Sequence, residues 1–320
     1  MKKFMNMKKA IIALALMLPV LGIAQTKNSG QGTYSYDGPK INMSSNTFTC
    51  KQIAKLQGTE GEGYQGMDIW GDYIFSCQNS GWLTLYKFDG DKVKKVNEPF
   101  KLASYGKVNH SNVASLSRTF YDKEDKFPLI YISQCNRKPV NGRKDVLYVE
   151  RVANDMKSSE LVQTIYFKDS GNLFGYALQW VLDLDNNFLY GYGNTVDNSN
   201  PLNRHRIVKF RIPALSESTD GLVVLTEDDL IENYLIEDTY AAKFNPVGQG
   251  LYIKNGLLFM PTGFGTEKAP TYLYVWNLAE RTMQNVIDLR EATFGELEDC
   301  ASYGDALIIQ SQGNLFKLNF

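Results

Sequence analysis

The sequence predicts an all-β fold, a five-bladed β-propeller closed by an N-terminal strand that completes the last blade. Three observations predict it. Five segments share one plan: a polar residue leads a short apolar strand, and a tight turn, a second strand, a polar loop and a third strand follow. The last segment lacks an outer strand because the chain ends within its third, at Phe320. A spare strand, FTCKQIAKL from Phe48, precedes the first segment, so the two ends of the chain complement each other. Joining them leaves only the short, protected edges typical of a propeller.

Taken in order, the second strands are YIFSC, LIYIS, FLYGYG, LLFMP and ALIIQ, rich in aromatic and branched residues. The third strands, WLTLYKF, VLYVERV, RIVKFRI, YLYVWNL and NLFKLNF, alternate apolar with polar. Fourth strands are expected in VKKVNEPFKL, SELVQTIYF, the stretch from GLVVLTEDDL to NYLIE, and TMQNVIDL. A sandwich or barrel fits the strand spacing but does not require one sub-pattern five times over. A sixth blade would have to come from the longer third unit.

MKKFMNMKKAIIALALMLPVLGIAQ has four lysines, an apolar run too short to span a bilayer, and small residues before Gln25. It reads as an export signal over residues 1–24, cleaved near Ala24. Residues 25–46 read as a flexible leader and 47–320 as one propeller domain. The expected location is therefore periplasmic or extracellular.

Lys+Arg 34 against Asp+Glu 35 gives a formal charge of -1, so no overall field attracts nucleic acid or an anionic membrane. The expected partner is a polar small molecule or a glycan, and the expected state is a monomer. Four cysteines in an exported chain invite a disulfide reading, which the geometry opposes. Cys50 and Cys300 would stand three strand spacings apart, about 14 Å, well beyond the roughly 7 Å reach of a bridge. Cys77 and Cys135 fall near strand ends in adjacent blades, and four free, buried thiols are expected.

Propeller connections alternate between two faces. QCNRKPVNGRKD, GNTVDNSNPLNR and PTGFGTEKAPT fall on one face, whereas the opposite face receives mostly short turns such as Gly71-Asp72 and Asn255-Gly256. Binding residues gather on loops held by a rigid scaffold, so the long-loop mouth is the expected site. Aligning the units on their turns superposes Gln65, Gln249 and Glu298; Gln179 joins them if its turn is one residue longer, and His110 with Asn112 occupies the second unit's position. This predicts a polar ring around the channel. Gly66 and Gly250 follow two of the glutamines, where inner strands crowd the axis. Such a ring either satisfies itself with trapped water or meets a ligand, and amides that both donate and accept suit a sugar. Arg137, Arg143 and Arg204, in the long loops of the second and third units, form either a rim for an anion or ordinary solvated charge.

Only two histidines occur, which argues against a zinc site. His110 is a candidate ligand or general base; His205, between Arg204 and Arg206, is expected at the surface. A glycosidase needs two carboxylates facing across the channel. Glu298 is one candidate, while Asp68 and Asp183 fall off the ring. No cofactor is expected, although the channel oxygens match the preferences of calcium. No nucleotide or hydrolase fingerprint is present.

QGMDIWGDYIFSC, HSNVASLSRTFYDKEDKFPLIYIS and ELEDCASYGDALII resemble exported propeller proteins of Bacteroidota, mostly of unassigned function. That resemblance implies the fold over nearly the whole chain after the signal. The Gln-led strands and His110 are also similar to the propeller domains of phage receptor-binding and teichoic-acid-associated proteins, which implies glycopolymer binding. The leading expectation is a binding propeller that holds a carbohydrate or other polar small molecule at its channel mouth. A hydrolase or lyase acting on glycans through Glu298 or His110, and a protein-interaction scaffold, are the competing classes, and fold alone does not separate them.

Overall fold

A computed structural model describes residues 47–320 apart from 137, 177, 243, 245 and 246. The expected signal and leader, 1–24 and 25–46, lie outside the described residues. The chain is a five-bladed β-propeller.

β1 (Thr49–Lys55) precedes the first blade. That blade comprises β2 (Tyr64–Trp70), β3 (Tyr73–Gln78), β4 (Trp82–Asp89) and β5 (Lys92–Lys95), with β6 (Phe100–Lys101) also paired to β4. The second follows with β7 (Val113–Leu116), β8 (Ile130–Ser133), β9 (Val146–Val152) and β10 (Ser159–Phe167). The third contains β11 (Gln179–Asp183), β12 (Phe188–Asn194) and β13 (His205–Arg211), after which the chain forms β14 (Leu222–Leu225) and β15 (Glu232–Leu235). β16 (Tyr252–Lys254), β17 (Leu257–Thr262), β18 (Tyr272–Asn277) and β19 (Thr282–Asp288) make the fourth, and β20 (Leu297–Tyr303), β21 (Ala306–Ser311) and β22 (Asn314–Asn319) the fifth.

The ring closes as the sequence predicts. β1 runs antiparallel to β22, with Thr49 opposite Asn319 and Lys55 opposite Asn314. The strand that comes first in the chain is thus the outer strand of the last blade.

One outer strand departs from expectation. The repeat pattern places the stretch from GLVVLTEDDL to NYLIE in the third unit as a whole, but only Glu232–Leu235 pairs with β13. Leu222–Leu225 instead lies parallel to β10 and widens the second blade to five strands. Val223 and Leu225 thereby bury their side chains with Ile165 and Phe167 of β10, which ties the two blades together.

The core lies between blades, where facing sheets interleave large side chains. Leu147 and Val149 of the second blade pack with Trp180, Leu189 and Phe210 of the third, all of them buried. Fully burying a side chain of this kind contributes about 1.5–3 kcal/mol. Cys50, Cys77, Cys135 and Cys300 are free, with Cys77 and Cys300 buried and the other two partly so. Among the described residues no helix is long and apolar enough to cross a membrane.

Candidate functional site at the two mouths of the channel

The inner strands β2, β7, β11, β16 and β20 surround the axis, and their N-terminal ends face the long loops. At this mouth the pairing of inner with second strands breaks: the register shifts between Tyr64 and Met67 in the first blade and between Leu297 and Cys300 in the fifth. Gln65 and Glu298 sit in these two irregularities. In the fourth blade Gln249 precedes β16 and donates its backbone N–H to Pro261 O at 3.0 Å. A bulge re-aims the residue it displaces, as at Gln65 and Glu298, whereas Gln179 stands in unbroken pairing opposite Tyr192. Crowding explains the glycines that follow Gln65 and Gln249. A Cβ on Gly66 would lie 2.5 Å from Ala114 N, and one on Gly250 would lie 2.4 Å from Glu298 O.

Gln65, Asn112, Gln179, Gln249 and Glu298 are each between 2% and 6% exposed. Four blades are linked in sequence. Gln179 Nε2 donates to Asn112 Oδ1 and, at 2.5 Å, to Gln249 O; Gln249 Nε2 donates at 2.5 Å to Glu296 Oε1. Gln65 turns to the fifth blade, its backbone oxygen accepting from Gln310 Nε2 at 2.5 Å. Gln65 Oε1, Gln179 Oε1 and Glu298 Oε2 are buried without a partner among the described residues. Burial, then the nearby Glu296 and Asp299, hold the Glu298 carboxyl well above the usual carboxylate range. Glu296 and Glu298 belong to one chain segment, so they are not the two opposed carboxylates of a glycosidase.

His110 is half-buried; its backbone N–H donates to Gln134 O at 3.0 Å, and burial lowers the imidazole pKa. His205 departs from expectation. It is 3% exposed, its Nδ1 is 2.5 Å from Glu237 Oε1, and its ring stacks parallel to Tyr192. His205 opens β13 and is buried, while Arg204 before it and Arg206 after it are half-buried, as alternation about the strand start requires. Of the candidate rim, Arg137 lies outside the described residues. Arg143 lines a peripheral groove with Phe210 and Val224, and Arg204 is paired with Asp238.

The short-turn mouth holds a cavity that sequence reasoning missed, with a volume of about 300 Å³. All five blades line it. Asp68, Ile69 and Trp70 come from the first, Ser115, Leu116 and Arg118 from the second, and Leu182 with Asp185 from the third. Tyr252 and Lys254 of the fourth and Ser302 and Tyr303 of the fifth complete the wall. Asp68 is buried at its base. Its two oxygens accept the backbone N–H groups of Ile69 at 2.7 Å and Leu116 at 2.6 Å, fastening the first inner strand to the second. Burial raises its pKa to about 7 despite these bonds. Asp299 makes a similar fastening deeper in the channel, accepting from Met67 N at 2.9 Å. Asp183 ends β11, and its carboxylate accepts from Asp185 N and Asn186 N, both at 3.2 Å, in the turn that follows. Hydroxyl groups finish the wall: Tyr252 pairs with the Ser302 hydroxyl at 2.5 Å, and Tyr303 donates to the Asp72 carboxylate at 3.0 Å.

No protein-family model matches the chain, and comparison with curated proteins finds no match. Among solved structures, a chain of a nidogen/laminin complex is similar at 11% identity and TM-score 0.38, covering 82% of this chain and 84% of that one. The tail fiber of Staphylococcus aureus phage P68 is similar at 11% identity and TM-score 0.46; the similarity covers 86% of this chain and 53% of the tail fiber. Neither likeness is near enough to bear on function.

Proposed function

We propose that this protein is an exported binding propeller that holds a polar small molecule at a mouth of its channel, in the cavity on the short-turn face. One observation carries the reading: a cavity of about 300 Å³ is built from strand ends of all five blades, with hydroxyl and charged groups set among apolar ones. A few polar groups in a largely apolar concavity is the usual composition of a small-molecule site. Export rests on residues 1–24, and the mature protein should begin at Gln25.

A second reading keeps a carbohydrate at the long-loop ring. Gln65 Oε1, Gln179 Oε1 and Glu298 Oε2 support it, because buried acceptors without partners call for the donors that a polyol supplies.

A thermal-shift screen of sugars, small organic acids and amines, repeated on two variants, tests both readings. Leu184 of the third blade also lines the cavity; Leu184→Trp fills it and should abolish a stabilisation that the Gln65, Gln179 and Gln249 triple alanine variant retains. The opposite pattern transfers the site to the ring. Stabilisation that survives in both variants would reject both readings.

A further inference from the structure

We infer that the ligand of the short-turn cavity is an organic cation, an amine carried on an apolar body; this rests on the cavity being the binding site. Three carboxylates, Asp68, Asp72 and Asp185, line the cavity against two cations, Arg118 and Lys254. Both cations approach the same acid: Arg118 lies 2.9 Å and Lys254 3.4 Å from Asp185 Oδ1. Asp68 and Asp72, in the first blade, are met by neutral groups instead. Asp68 accepts two backbone N–H groups, and Asp72 accepts the Tyr303 hydroxyl. Asp68 is 8% exposed, and its two bonds use one lone pair on each oxygen, leaving a second on each. Burial raises its pKa to about 7, and only those two N–H groups oppose burial; no cation holds the carboxylate charged. Asp299, deeper in the channel, is raised by burial and also by Asp68, so this end of the axis lacks positive charge. An ammonium at Asp68 supplies it, in a buried setting where salt screens an ion pair least.

The rest of the wall selects the body of the ligand. Ile69, Leu116, Leu182 and Ile253 form a surface that water solvates poorly and an alkyl or aryl group would cover. Trp70 and Tyr252 stand in the same wall, and aromatic rings favour a cation as well as an apolar body. Other classes of ligand satisfy less of this arrangement. An organic anion would join carboxylates already in excess, and a neutral polyol leaves Asp68 without a counter-charge. A bare metal ion finds too few ligands, since among the described residues no group of three or more His, Cys, Asp or Glu could hold one.

Isothermal titration of the full chain at pH 8, above the Asp68 pKa, tests the inference. The probes are 2-phenylethylamine and hexylamine, their neutral counterparts 2-phenylethanol and hexan-1-ol, and 3-phenylpropionate. Each amine should bind about tenfold or more tightly than its alcohol, the scale of a charge-assisted hydrogen bond, and the acid more weakly than either. Asp68→Asn should bring amine binding down to that of the alcohols, and Asp72→Asn should reduce it by less. Thermal melts establish that the variants fold. If Asp68→Asn does not, density for 2-phenylethylamine soaked into the unaltered protein decides: nitrogen on the Asp68 carboxylate supports the inference, and nitrogen elsewhere overturns it. An amine advantage that survives in folded Asp68→Asn also overturns it. Equal binding of amine and alcohol, or tighter binding of the acid, abolished by Leu184→Trp, overturns the cation inference and leaves the cavity as the site. If none of the probes binds and no density appears, the inference is overturned and the cavity loses its support as well.

Discussion

Gly66 and Gly250 are the positions at which the ring tolerates least. A Cβ at Gly66 would press on the backbone of Ala114, Ser111 and Val113, and at Gly250 on Glu298 O and Asp299. Backbone atoms cannot swing aside, so Gly66→Ala and Gly250→Ala should each cost about 2 kcal/mol or more in denaturant unfolding, the scale of an overpacked core. Gly106 has open space around its Cβ position, and Gly106→Ala should stay within about 0.5 kcal/mol. Asp68 makes a prediction of a different kind. Its carboxyl has a pKa of about 7 in the folded protein against an ordinary value of 3.8. Below the ordinary value it is protonated in both states. Between the two values the folded protein holds a proton that the unfolded chain has released, so this contribution to stability falls as pH rises through that window and is flat above it. Asp299 and Glu298, also raised by burial, act in the same direction. The melting temperature should therefore be lower at pH 7.5 than at pH 5. Asp68→Asn should flatten the profile, while leaving one backbone N–H without its acceptor.

Strands were the readily legible elements, because each blade repeats a two-residue alternation between turn signals and that pattern is local. The glycine and asparagine turns belong with them: Asn255 and Gly256 both have positive φ, 53° and 74°, as a tight hairpin turn requires. Leu222–Leu225 was not legible in its pairing. LVVL reads as an outer strand, but nothing in its neighbourhood says that its partner is β10 of the preceding blade rather than β13. The ring residues could be found because aligning the units on their turns puts a polar residue near one offset, although only Gln65 and Glu298 sit in a break of the ladder. Glu296, which accepts from Gln249 Nε2, lies two residues before Glu298, a spacing that puts both on one side of an extended chain and is visible in the sequence. The cavity could not be read in this way. Leu116, Leu182 and Ile253 are ordinary strand-end residues in sequence, and they become a wall only when five blades are wrapped about one axis.

At the scale of the molecule, that wrapping depends on the pairing of β1 with β22, since the fifth blade otherwise ends in an unpaired edge beside the first. Leu315 and Leu318 of β22 are buried, and β1 lies against them as the outermost strand. Closure brings Tyr303 of the fifth blade against Phe88 of the first, stacked with ring centroids 3.8 Å apart, and carries Ser302 to the cavity wall. Amide hydrogen exchange of the peptides covering residues 49–55 tests this most directly. A closed ring predicts that they exchange as slowly as the peptides covering 314–319, and that both are released together as denaturant is raised. Exchange of 49–55 within seconds, with 314–319 still protected, would contradict the closure and with it the five-walled cavity.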